Sequence, residues 1–153
     1  MALDSVKRAR LAKFAPLEDL AEVVHHQHGC LQAVWDFSVQ GGAVGDIDLL
    51  DVFGKKALLP SGALIRDIAV HVETLVTSGG AATLALKSEG AADLLGATAV
   101  ASFAANANLD GVPVGTAATV VRLTAERTLK LTVAVTALTA GKVHAFVDYV
   151  VRS

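Results

Sequence analysis

The sequence predicts a mainly β protein: an antiparallel β-sandwich or jelly roll, residues 31–153, behind an N-terminal arm, residues 1–30, that contains a short helix. Three observations predict it. Hydrophobic residues make up 53% of the 153 residues but aromatics only 5%, so the apolar content is mostly small and β-branched, which suits pleated sheets. From Ala33 onward apolar residues recur with a period of two, and Gly, Pro, Asn and Ser clusters cut the alternation into short runs.

The first 30 residues differ. Lys7, Arg8, Arg10 and Lys13 give a basic start, after which Leu17, Leu20, Ala21 and Val24 fall at i, i+3, i+4 and i+7, one apolar stripe of a helix. Pro16 fits its first turn, and Glu18, Asp19 and Glu22 lie toward the positive end of its dipole. Gly29 reads as its stop, with Cys30-Leu31 folding back.

Trp35, Phe37 and Val39 share one face of the first strand. Ile68, Val70, Val72, Thr74 and Val76 form a second such face, Leu129, Leu131, Val133 and Val135 a third, and Val143, Ala145, Val147, Tyr149 and Val151 a fourth. Residues 91–103 read equally as a strand or a short helical crossover, because alanine favours helix while Gly96, Thr98 and Val100 oppose it. Short connections after Val76, Thr124 and Leu138 predict hairpins. No fixed-period repeat or low-complexity segment occurs.

Composition narrows the function classes. One domain is expected at this length. No apolar run approaches the roughly 18 residues that cross a bilayer, so no membrane partner is expected. The surplus of apolar side chains then points to burial between subunits. A net charge of −2 gives no global attraction to nucleic acid. A single cysteine excludes an internal disulfide framework, and the basic start lacks the apolar stretch of a signal peptide, which places the chain on the cytosolic side.

The densest group of reactive side chains is Val24-His25-His26-Gln27-His28-Gly29-Cys30. Zinc needs three or four converging ligands, whereas helical spacing brings together only His25 with His28, or His26 with Cys30. The histidines instead read as the last turn of the helix, next to its negative end. A Cys30/His28 nucleophile lacks the turn that would orient it, and no G-x-S-x-G, P-loop or dinucleotide fingerprint occurs. Asp46, Asp48 and Asp51 match no calcium loop and read as a solvated face. His71 with Glu73, and His144 with Asp148, lie on strand faces turned to solvent or to a neighbouring subunit. The residues thus imply no catalytic centre, cofactor, metal or small-molecule substrate.

The run Trp35-Asp-Phe-Ser-Val-Gln-Gly-Gly-Ala-Val-Gly45, then Leu59-Pro-Ser-Gly62, Thr77-Ser-Gly-Gly-Ala-Ala-Thr83 and Thr139-Ala-Gly-Lys142 ahead of Asp148-Tyr149, resembles the head decoration (capsid-stabilising) proteins of tailed bacteriophages, which form trimers of jelly-roll subunits. The resemblance covers residues 31–151 and implies a non-enzymatic virion protein on the capsid surface, assembled in the host cytoplasm, with a homotrimer and the major capsid protein as partners. For the arm, which has no counterpart in the family pattern, it implies capsid contact through Lys7, Arg8, Arg10, Lys13, Leu17, Leu20 and Val24. Two other readings remain: a tail-spike or fibre module that recognises a receptor, and a small cupin-like enzyme with metal held by histidines.

Overall fold

The computed structural model describes residues 26–152. The larger sheet has the order β1 (His26–Asp36), β11 (Leu138–Arg152), β4 (Ala63–Ser78), β7 (Asn108–Val114), and the two-residue β8 (Val121–Arg122) adds to β4. The smaller has the order β2 (Gly45–Asp48), β10 (Lys130–Ala134), β5 (Thr83–Lys87), β6 (Leu95–Ala99). A two-residue pair, β3 (Leu58–Leu59) with β9 (Arg127–Thr128), lies apart.

The pairings are all antiparallel and nested: β5 with β6, β4 with β7, β2 with β10, and β1 with β11. The chain is thus one long hairpin folded at the β5–β6 turn and rolled so that its successive limbs alternate between two sheets, which is the jelly-roll sandwich. The predicted fold class is the one observed.

Alternation sets which residues meet between the sheets. Ile68, Val70, Val72 and Val76 from β4, Val143, Ala145 and Val147 from β11, and Leu131 and Val133 from β10 are buried, as their period predicts. Trp35, Phe103, Leu59 and Leu129 fill the remaining space. Among the described residues no polar or charged residue is buried, and the indole N–H of the buried Trp35 has a backbone carbonyl as its partner.

Several expectations are corrected. His26 to Gly29 do not close a helix: they are extended and paired with β11, Gly29 opposite Tyr149. The physical reason is tertiary, since eleven consecutive residues of β1 find partners on the last strand. The rest of the expected helix lies outside the described residues. The first strand does not run to Val39 either. Asp36 accepts the Ser38 N–H at 2.9 Å and caps a single helical turn, α1 (Phe37–Gln40), while Trp35 Nε1–H donates to the Gly41 carbonyl at 2.9 Å. Trp35 therefore points into the core and Val39 out to solvent.

The hairpins expected after Val76 and Thr124 are crossings between sheets, and the one expected after Leu138 falls inside a single strand, β11, which is itself reached by a crossing. Ser78 to Thr83, Arg122 to Arg127, and Ala134 to Leu138 each link strands of different sheets. The short connections are arches because consecutive strands pack face to face, not edge to edge. Thr139 to Lys142 is no turn but an irregular stretch inside β11, where Gly141 takes φ +135°. A side chain there would stand 2.9 Å from Val76 Cα and 3.0 Å from Trp35 Cζ3. Residues 91–103 contain both alternatives, β6 followed by a 3-10 turn at Val100–Ser102.

Candidate interaction surface

The outer face of the smaller sheet is a closed set of ion pairs. Asp46 meets Lys87 and accepts from Thr132 Oγ1 at 2.7 Å, and Asp48 meets Lys56 at 2.7 Å and Lys130 at 3.5 Å. Hydrogen bonds from Lys87 to Asp46, and from Lys56 to Asp48, hold both carboxyls below the usual range. Asp51 stands past the end of β2, and its carboxylate accepts backbone N–H groups, so the three acids do not converge. At one end of this sheet a cleft of about 420 Å³ is bounded by Glu89 and Arg127. There Arg127 Nε and Nη2 donate to the two Glu89 oxygens at 2.9 and 3.0 Å, and Thr124 Oγ1 donates to Oε1 at 2.5 Å. Asp93 fixes the adjoining loop by accepting the N–H groups of Ser88, Glu89 and Gly90. Of the charges lining that cleft, Lys87, Glu89, Arg127 and Lys130 are paired within the chain, and among the described residues Glu126 is in no salt bridge.

The outer face of the larger sheet is different. Its centre is a polar chain across three strands: Gln32 Nε2–H donates to His144 Nδ1 at 3.3 Å, and His144 Nε2–H then donates to Glu73 at 2.5 Å. Lys142 Nζ approaches the same carboxylate at 3.1 Å, and these two donors, His144 first, hold the Glu73 carboxyl below its ordinary value. His71 Nδ1–H donates to Asn108 Oδ1 at 2.8 Å. The two faces anticipated from sequence, His71 with Glu73 and His144 with Asp148, thus meet as neighbours, His71 directly opposite His144. Asp148 takes no part in the polar chain; its register partners are Cys30 and Asp67.

Beside this chain the surface deepens into a groove of about 380 Å³, walled by Val34, Val39, Leu50 and Val52 above Gln32 and His144. A tight turn overhangs it. Asp51 accepts the N–H groups of Phe53 and Lys55 at 2.8 and 2.9 Å and donates its own N–H to the Lys55 carbonyl at 2.6 Å; Gly54 supplies the φ of +77° that the turn needs. At its tip Phe53 is 84% exposed. Sequence reading missed this feature, although Asp51-Val-Phe-Gly-Lys55 carries a signal for it: an Asp and a Gly spaced for a turn around an aromatic residue.

The capsid-contact residues expected from sequence, Lys7, Arg8, Arg10, Lys13, Leu17, Leu20 and Val24, lie outside the described residues, as does His25. His28 and Cys30 sit on the exposed face of β1. Among the described residues no three His, Cys, Asp or Glu side chains converge as metal ligands, and no helix is long and apolar enough to cross a membrane.

These features define a jelly-roll protein with a filled apolar interior and its distinctive chemistry on an outer sheet face. No family model and no curated protein matches the chain. Solved structures do match its fold. A chain in the cyanophage Pam1 capsid asymmetric unit superposes with a TM-score of 0.58 at 18% identity, covering 82% of this chain and 86% of that one. A chain in the capsid of Ralstonia phage GP4 gives a TM-score of 0.53 at 18% identity, covering 84% of each. At such identity the likeness is one of fold.

Proposed function

We propose that this chain is a structural protein of a bacteriophage capsid, and within that class a decoration protein that binds the assembled head as a trimer and stabilises it. The observation that carries the reading is the jelly-roll fold held in common with chains of two phage capsids over more than four-fifths of each chain. The apolar interior supports it, because a cupin-like enzyme needs a pocket with ligands between its sheets, and here that space is taken by Trp35, Phe103 and aliphatic side chains. Stabilisation works by mass action: a protein that binds the assembled shell but not its separated subunits shifts the equilibrium toward assembly. Three-fold symmetry multiplies weak contacts at a junction. In this reading the major capsid protein is the partner, and Lys7, Arg8, Arg10, Lys13, Leu17, Leu20 and Val24 reach over the shell. The test is binding of the purified chain to heads that lack it, compared with binding to host cells. Attachment to cells and not to heads would transfer the protein to the tail-spike or fibre class.

A further inference from the structure

We infer that the free edge of β1 pairs, antiparallel and about a two-fold axis at Cys30, with the same edge of a second copy, so that the larger sheets of the two copies become one. This contact goes beyond the proposed function and does not depend on its three-fold symmetry.

β1 is an edge strand of the larger sheet and joins β11 without a register break. The C-terminal part of its outer edge is closed from within the chain. Val34 exchanges both main-chain hydrogen bonds with Leu50, at 2.7 and 3.0 Å, and the Asp36 N–H donates to Gln40 Oε1 at 2.9 Å. Main-chain groups turn to alternate sides along a strand, so those of His28, Cys30 and Gln32 face the same way as those of Val34. Among the described residues these three have no main-chain partner on that side. A sheet edge is normally blunted by charge, proline or a bulge. At the opposite edge β7 has Asp110 and Pro113, and its Val112 N–H donates to the Leu94 carbonyl at 2.8 Å. His26 to Ala33 contains no Lys, Arg, Asp, Glu or Pro.

A second copy is the occupant that this edge fits. The chain's own residues 1–25 lead directly into His26, and Leu20 to Gln27 contains no Gly, Pro, Asn or Asp on which they could turn back along β1. With the axis at Cys30, His28 pairs with Gln32 of the second copy and Gln32 with its His28, which sets no like charges opposite each other. On the inner side of the sheet Leu31 then faces Gly29 of the second copy, where the Tyr149 ring stands over the glycine. Leu31 and Tyr149 are only partly buried in one copy, and the contact covers both. This axis sets the bulk of each strand against the gap in the other, the self-complementarity that a two-fold contact requires. Pairing ends with His26 opposite Val34, whose groups Leu50 already holds, so residues 1–25 of the two copies depart from opposite ends of the joint.

The experiment is light scattering on the full chain at micromolar concentration, for the wild type, Cys30→Lys and His28→Pro, with circular dichroism to verify folding and with head binding measured in parallel. The wild type is also treated with a disulfide-forming oxidant, because residues facing each other in such a pair stand about 5.5 Å apart at Cα, within reach of a disulfide. Cys30 and His28 are exposed and the His28 N–H points away from β11, so the fold is retained. Each substitution is expected to weaken the pairing at least about tenfold, one by opposing two lysines and the other by removing a donor from each copy. A wild-type dimer that links through Cys30 and is dissolved by both substitutions supports the inference and removes the proposed trimer. A hexamer that links through Cys30 and falls to trimers in both variants supports the two together. A trimer that is unlinked and unchanged in both variants overturns the inference and leaves the trimer standing. A wild-type monomer overturns both, and if its two variants also lose head binding, the β1 edge belongs to the capsid protein.

Discussion

Gly29 and Tyr149 are cross-strand partners on β1 and β11, and the tyrosine ring fills the space that a side chain at position 29 would occupy. An aromatic ring laid over a strand glycine shields backbone that would otherwise be bare. Gly29→Ala is accordingly expected to push the ring aside and cost about 1–2 kcal/mol. Combined with Tyr149→Ala, the loss should be less than the sum of the two single effects. Strict additivity in chemical denaturation would show that the ring is elsewhere.

A second glycine is more constrained. At Gly111 in β7 a Cβ would overlap Ile68 Cγ2 and the Leu94 carbonyl oxygen, and the latter is backbone that already accepts the Val112 N–H at 2.8 Å. Gly111→Ala is expected to destabilise by about 3 kcal/mol or more. Gly96→Ala, at a strand position with nothing within 4 Å, should stay within about 0.5 kcal/mol of wild type. Similar midpoints for the two variants would contradict the packing described at β7.

Trp35 is the chain's only tryptophan and is fully buried, so its fluorescence reports unfolding of the core directly. Trp35→Phe removes the hydrogen bond to the Gly41 carbonyl that ties β1 to the end of α1. A loss of about 2 kcal/mol is expected from the unmet carbonyl and the smaller ring. Urea denaturation followed by circular dichroism measures it.

Acid acts at Glu89. The Arg127 guanidinium, and after it Thr124, hold its carboxyl at about 2, below the ordinary 4.5. A carboxyl with a lowered folded-state pKa favours the fold above its unfolded value and loses that contribution as pH falls. The difference in melting temperature between wild type and Glu89→Gln should therefore be largest above pH 4.5 and vanish toward pH 2. Because the pair faces solvent, added salt should shrink the same difference. A difference independent of pH would detach Glu89 from acid sensitivity.

Much of the sandwich is legible in the sequence because β4, β10 and β11 bury one face each, and a half-buried strand prints its burial as period two. Legibility ends where a long-range partner decides. Gly29 after a run of histidines satisfies local rules for a helix stop, and only the pairing with Tyr149, from the far end of the chain, makes it a strand residue. Val39 continues the alternation of Trp35 and Phe37, but the Asp36 side chain caps a turn there and reverses its direction. Thr139 to Lys142 has turn composition, yet pairing with β4 keeps the strand going through it, and β1 joins on the other side only at Lys142. For the candidate surface, the pairs on β4 and β11 were visible as strand faces, whereas their union through Glu73 depends on register. The Phe53 tip was open to reading from Asp51 and Gly54, but a lone exposed aromatic has no period to announce it.

The central claim, that this jelly roll attaches to a phage head, is tested most directly by sedimentation. Purified chain is mixed with heads that lack it, the heads are pelleted, and the bound copies are counted against major capsid protein. Saturable binding in multiples of three per site, with heads that release DNA at a higher temperature once loaded, is the predicted result. A folded, oligomeric chain left entirely in the supernatant, with heads no more heat-resistant than before, would contradict it.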